Sequence, residues 1–279
     1  MSTSVEVRPP FPVGWFAVAW LDEVPEGAMV PLAVFGQDLA VGRTSSGRAL
    51  VTHSVCPHLG ADLAAGSHID DDQVVCPLHN WCFNHLGACT SATDDPIPET
   101  ARLRVWPTEV ANGTIWAFNG RDGEEPTVPP PDTSVAGVVW SGGGRLREGH
   151  DGHPEDVLAK MLTGVGVIDG NPVDGSPYAW VGRAADGLSV SVCGPGTLLL
   201  QRLAGGVEVI HVTPVDGFQV DVRTSGTVPG SEIVEDQVSF RNWYRRFDRS
   251  LTPSLPRPRV GRTGRRSAQE ERPIKPSIP

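Results

Sequence analysis

The sequence predicts an α+β chain in three parts. An all-β domain occupies residues 1–125, a shortened antiparallel-sheet domain 126–250, and a disordered Arg- and Pro-rich tail 251–279. Three observations carry this reading. Gly and Pro number 32 and 26, which favours short strands and turns over long helices. Four of the five cysteines lie between Cys56 and Cys89, and five of the eight histidines between His53 and His85. The charge is divided as well: residues 241–279 hold 11 basic and 3 acidic residues, in a chain of net charge −10.

The elements follow in order. Trp15–Trp20, Val30–Phe35, Leu39–Gly42 and Ala49–His53 are apolar or alternating runs separated by Pro, Gly, Asp and Ser, the pattern of short strands. Leu103–Trp106 and Thr114–Phe118 flank Asn112-Gly113, a strong hairpin signal, and are expected to pair across it. Residues 119–133 are rich in Gly, Pro, Asp and Glu without periodicity, so the domain boundary is placed there. Pro154-Glu155-Asp156 followed by Val157–Leu162 reads as a short helix, with Pro in its first turn and acids at its positive end. Tyr178–Val181, Leu188–Val192, Thr197–Leu203, Val207–Thr213 and Phe218–Arg223 read as one antiparallel sheet. Ser231–Phe247 has helical spacing with Ser231 as N-cap. Past Ser250 there are six prolines and no core pattern.

Composition excludes several classes. An acidic chain of this charge is not a basic nucleic-acid binder. No apolar run approaches the ~18 residues of a membrane span, and Met1–Trp15 lacks a basic start followed by an apolar stretch. A cytoplasmic protein is therefore expected. Five clustered cysteines do not make a disulfide scaffold.

The cluster itself is Cys56-Pro57-His58, then 17 residues, then Cys76-Pro77-Leu78-His79. Each loop gives one thiolate and one imidazole. A Rieske [2Fe–2S] cluster needs two Cys on one iron and two His on the other. Zinc also takes Cys2His2, but its ligands come as C-x2-4-C and H-x3-5-H pairs. The prolines and Gly60 fit tight loops whose backbone N–H groups can bond sulfur. Cys82 and Cys89 are expected to face each other across a hairpin turning at Asn84–Gly87, as free thiols in a reducing compartment. Cys193 reads as a buried small apolar residue.

The text around these residues resembles a known family. Phe11-Pro-Val-Gly-Trp15-Phe16, Cys56-Pro-His-Leu-Gly60-Ala61 and Cys76-Pro-Leu-His-Asn80-Trp81 look like the oxygenase component of Rieske non-haem iron oxygenases. The resemblance is nearest to 3-ketosteroid 9α-hydroxylase oxygenases and related sterol desaturases, and runs from Pro10 to Phe118. It implies a Rieske domain followed by a helix-grip-like sheet domain, with Cys56, His58, Cys76 and His79 as cluster ligands. Asn80 departs from the Gly usual at that place. Respiratory Rieske proteins carry an extra Cys in each loop, and Leu59–Leu63 has none.

The resemblance also implies a second metal, a mononuclear Fe(II) held by two His and one carboxylate. The family carries it on an Asp-x-x-His-x4-His helix with a later Asp. His153-Pro154-Glu155-Asp156-Val157 matches the lead-in. In register, Thr163 then takes the bridging Asp position, Gly166 the first His, Asn171 the second His and Gln237 the later Asp. These positions read as degenerate, so mononuclear Fe(II) is not expected. His150, His153 and Asp156 recur every three residues, but read as a polar loop entering a helix.

The expected function is an oxidoreductase component of a ring-hydroxylating type of system. Its cluster accepts electrons from a ferredoxin or flavin reductase. They pass to a complete Rieske oxygenase subunit in a mixed trimeric ring. Two alternatives stand beside it: a complete monooxygenase for a steroid-like or polycyclic apolar substrate, and a non-enzymatic structural or redox-sensing subunit.

Overall fold

The structure is a computed structural model. It describes residues 11–92, 96–121, 124–134, 139–147, 153–173, 179–203 and 205–227, with Tyr244 and Phe247. In the first part the strands are β1 (Gly14–Trp20), β2 (Met29–Val34), β3 (Gln37–Arg43), β4 (Ala49–His53), β5 (His68–Asp70), β6 (Gln73–Val75), β7 (Cys82–Phe83), β8 (Cys89–Ser91), β9 (Val105–Trp106), β10 (Thr108–Ala111) and β11 (Thr114–Asn119). The second part has β12 (Val139–Arg147), α1 (Pro154–Val165), β13 (Val167–Pro172), β14 (Trp180–Ala184), β15 (Ser189–Val192), β16 (Thr197–Gln201), β17 (Val207–Pro214) and β18 (Gln219–Gly226).

The first part makes three small sheets, ordered β1-β11-β10, β2-β3-β4-β9 and β5-β6-β7-β8. The second part makes one seven-stranded sheet, ordered β12-β18-β17-β16-β15-β14-β13. The named strand pairs are all antiparallel, the arrangement that short turns allow. The chain is thus α+β, dominated by antiparallel sheet.

The Asn112-Gly113 turn is present, with φ of 53° and 72°. Its partner strand differs from the expectation. The hairpin is β10 with β11, whereas Val105–Trp106 pairs with β4. A two-residue turn of this kind pairs the residues directly before it, so Thr108–Ala111 takes the place. Pro107 separates the two strands, having no N–H to continue a ladder.

Helix α1 obeys its end signals. His153 is the N-cap, and its Nδ1 accepts the Glu155 N–H at 3.3 Å. Pro154 opens the helix, and Gly166 closes it in the left-handed conformation with φ of 74°. One face of α1, Val157, Leu158 and Met161, packs on Leu198, Ile210, Val212 and Val222 of the sheet, with Tyr244 and Phe247 in the same core. The helical spacing read over Ser231–Phe247 lies outside the described residues apart from those two, and the tail lies wholly outside. Among the described residues no helix is long and apolar enough to cross a membrane.

The two parts meet along β1 and β17. Thr213 Oγ1 donates to the Ala17 carbonyl at 2.6 Å, and both groups are buried. The β2–β3 turn docks on the end of β17, where Phe35 N–H and Gly36 N–H donate to the Pro214 and Val215 carbonyls at 2.9 and 2.8 Å. His211 sits at the centre of this junction. Its ring lies edge-on to Trp20 at 5.7 Å and to Trp116 at 5.1 Å. Its Nδ1 shares a hydrogen bond with Thr197 Oγ1 at 3.2 Å. Burial, with a smaller contribution from the Arg223 charge, pulls its pKa down to about 3.

The sign follows directly. The unfolded chain protonates this group near 6.5 and the folded chain resists until about 3. Its contribution to stability is intact above pH 6.5 and lost as the pH falls toward 3, at up to roughly 1.4 kcal/mol per pH unit. Denaturant unfolding from pH 7 to pH 5 is expected to show that loss. His211→Gln should flatten the slope, and an unchanged slope would remove His211 as its source.

Candidate metal centre

Two loops of the first part are near copies of one another. In the first, Cys56 N–H donates to the Ala61 carbonyl at 2.8 Å and Gly60 N–H to the Cys56 carbonyl at 3.0 Å. In the second, Cys76 N–H donates to the Trp81 carbonyl at 2.9 Å and Asn80 N–H to the Cys76 carbonyl at 3.0 Å. The framing strand pairs correspond too, Val55 with Asp62 and Val75 with Cys82. Each loop needs one residue in the left-handed region. Gly60 has φ of 76° and Asn80 φ of 55°. Asn is the side chain that tolerates this conformation best after Gly, so the Asn80 departure leaves the loop intact.

The loops bring their side chains together as two pairs. Cys56 and Cys76 are 1% exposed, with sulfurs in hydrogen-bonding reach of one another. Burial and the neighbouring Cys76 thiol push the Cys56 thiol up to about 11, while the His58 backbone N–H bonds the Cys56 sulfur and pulls the other way. His58 and His79 meet edge-to-face with ring centroids 4.8 Å apart. The Nδ1 atom of His58 is fully buried. Beneath the loops lies a core of Met29, Leu50, Leu63, Val74, Phe83 and Leu103. Above them the flanking residues are apolar and open to solvent, Leu59 68% and Leu78 62% exposed.

This arrangement separates the two readings of the donor set. One zinc ion would gather all four donors into a single tetrahedron. Among the described residues, no three His, Cys, Asp or Glu side chains are grouped to hold one ion. A sulfur pair beside an imidazole pair is what a two-iron cluster requires. The residues therefore fit a [2Fe–2S] group, whose positive iron would reverse the unfavourable charge of two buried thiolates.

Other singled-out residues fall elsewhere. His53 ends β4 and accepts the Val55 N–H at 3.3 Å, while His68 and His85 are exposed. Cys82 and Cys89 do not face each other. A bulge in β8 sets Cys82 opposite Ser91 and Cys89 opposite Phe83, and both thiols are unbridged. Cys193 is half-buried rather than buried. Thr163 is exposed near the end of α1, Gly166 is its C-cap, and Asn171 is exposed on β13. Gln237 and His150 lie outside the described residues. Reading the sequence missed Trp81, which stacks on His58. The aromatic residue straight after the second loop was its only signal.

The loop geometry makes a prediction. Gly60→Asn should keep the site, as Asn80 does. Gly60→Val should weaken it, because a β-branched residue in the left-handed region costs about 1–2 kcal/mol or more. Iron per chain and the unfolding midpoint check this; a Val variant equal to the Asn variant would contradict it.

Comparison with known proteins agrees. A family model for the Rieske [2Fe–2S] domain matches residues 14–107. Cholesterol 7-desaturase nvd of Bombyx mori is 39% identical over 130 residues, covering 45% of this chain and 29% of the relative. A 3-ketosteroid-9-alpha-monooxygenase oxygenase component of Rhodococcus rhodochrous is 33% identical over 141 residues, covering 49% and 35%. The chain spans about a third of the length of the curated relatives it matches. In fold it is similar to Pseudomonas putida CBB5 NdmA with caffeine, at a TM-score of 0.64 and 14% identity over 91% of this chain and 85% of that one. It is also similar to apo dicamba monooxygenase, at a TM-score of 0.62 and 16% identity over 86% and 84%. Residues 14–107 are a Rieske [2Fe–2S] domain, in a chain related to the cholesterol 7-desaturases and the 3-ketosteroid-9-alpha-monooxygenase oxygenase components.

Proposed function

We propose that this chain is a redox component of a Rieske oxygenase system acting on a steroid-like or other polycyclic apolar substrate. Cys56, His58, Cys76 and His79 hold the [2Fe–2S] cluster, which when bound supplies a one-electron acceptor and donor. The observation that carries this is the pairing of the buried sulfurs beside the paired imidazoles. The half-buried imidazoles lie next to Leu59 and Leu78, an apolar rim on which a redox partner can exclude water. A ferredoxin or flavin reductase is the electron source.

Two forms of this function differ in where the substrate is oxidised. In the first, the chain is itself a complete monooxygenase. Its relatives' names and its fold likeness over most of the chain support this form. An open cavity of about 250 Å³ between α1 and the sheet has Leu158, Leu162, Trp180, Val192 and Pro195 in its lining, together with the charged Glu155. In the second, electrons pass on to a complete oxygenase subunit in a mixed trimeric ring. Thr163, Gly166 and Asn171 support this form, since none offers the imidazole or carboxylate that Fe(II) takes. The comparisons favour the first form.

Iron and sulfide analysis of anaerobically purified protein tests both. Two irons and two sulfides per chain are expected for the cluster. A reproducible third iron, with substrate-dependent oxygen uptake by this chain and a reductase alone, marks the complete monooxygenase. Two irons without uptake mark the relay. Cys56→Ser and Cys76→Ser should abolish the visible cluster bands, whereas Cys82→Ser, Cys89→Ser and Cys193→Ser should keep them. Cluster bands surviving in Cys56→Ser would overturn the ligand assignment.

A further inference from the structure

We propose that Trp81 is a positioning residue for His58, so that an aromatic side chain of the second ligand loop tunes the reduction potential through the imidazole of the first. This rests on the reading of His58 as a cluster ligand.

Trp81 follows Asn80 directly in the second loop. Its carbonyl accepts the Cys76 N–H at 2.9 Å, which fixes its backbone to the loop. Its side chain is 2% exposed and lies flat on the His58 ring, at 4.1 Å between centroids and 8° between planes. Phe83 lies tilted to the indole at 6.4 Å and 45°, and makes no ring contact with His58 among the described residues. His79 meets His58 edge-on, at 71°. His58 is therefore confined between an indole face from the other loop and the edge of the second imidazole. Rotation of the His58 ring requires Trp81 to leave a fully packed position.

The stack also has an electronic sense. An indole face is electron-rich and favours a ring bearing positive charge. An imidazole bonded to iron carries more positive charge when the cluster is oxidised. Trp81 thus stabilises the oxidised state. Its bulk also keeps water from that side of the ring, which disfavours the extra negative charge of the reduced cluster. Both effects lower the potential, so removing the indole raises it.

The test is an EPR-monitored potentiometric titration of the cluster-loaded full chain at one fixed pH. The expected order of midpoint potential is wild type, then Trp81→Phe, then Trp81→Leu. Trp81→Leu should favour reduction by a fixed donor by about two- to tenfold. Phe83→Leu, a change of similar burial that spares the stack, should leave the potential near wild type. Pulsed EPR should show the nitrogen coupling of one imidazole changed in Trp81→Leu and the other kept. An unchanged potential in Trp81→Leu, or an equal shift in Phe83→Leu, overturns the proposal. If Trp81→Leu fails to fold, Trp81→Phe with the same potential as wild type also overturns it. Failure of the underlying reading is distinct, because wild-type protein would then carry no [2Fe–2S] signal at all.

Discussion

Burial holds the Cys56 and Cys76 sulfurs against one another and pushes the Cys56 thiol up. Two thiolates placed so would repel each other in a medium too apolar to screen them. Only a compact positive centre makes the arrangement favourable. The rest of the first part serves that demand. The paired loops turn back on themselves through matched backbone hydrogen bonds, the His58 amide is aimed at sulfur, and Leu63, Trp81 and Phe83 exclude water from below. The His58 and His79 imidazoles are left half-buried at the top.

The pseudo-symmetry of the loops explains which residues can vary. Gly60 and Asn80 do the same backbone work, so the loop asks for a left-handed residue and not for glycine itself. Trp81 and Ala61 hold matching backbone positions but are not interchangeable, since only Trp81 reaches across to the opposite loop. The loops are alike in backbone and divided in side-chain duty.

Much of the fold is legible in the sequence where a local rule decides it. His153-Pro154 opens α1 and Gly166 closes it, because caps are local chemistry. β4 and β11 show as apolar runs next to turn residues. β5 to β8 do not, because runs of two or three residues carry no readable period. The β9 and β10 assignments blur for a related reason, since Pro107 divides one apolar stretch between two sheets. The Cys-x-His and Cys-x2-His spacing announces a metal centre, because donor type and order are written in the chain. The stacking of Trp81 on His58 and the setting of His211 are not written there. Both join residues far apart in sequence through packing alone. The offset of Cys82 from Cys89 turns on one bulged residue, which no spacing discloses.

The junction between β1 and β17 bears on how the first part is held to the second. Thr213 and Ala17 share a buried hydrogen bond, the β2–β3 turn is tied to Pro214 and Val215, and His211 fills the space between two tryptophans. Breaking the Thr213–Ala17 bond would leave a buried polar group without its partner. The first part is thus joined to the sheet by buried hydrogen bonds and aromatic packing. Under the proposed function, an electron carrier would meet a domain held against its sheet and not one on a free tether. Under that function, gating of electron transfer is expected from the docking of another molecule at the Leu59 and Leu78 rim rather than from a hinge between these two parts.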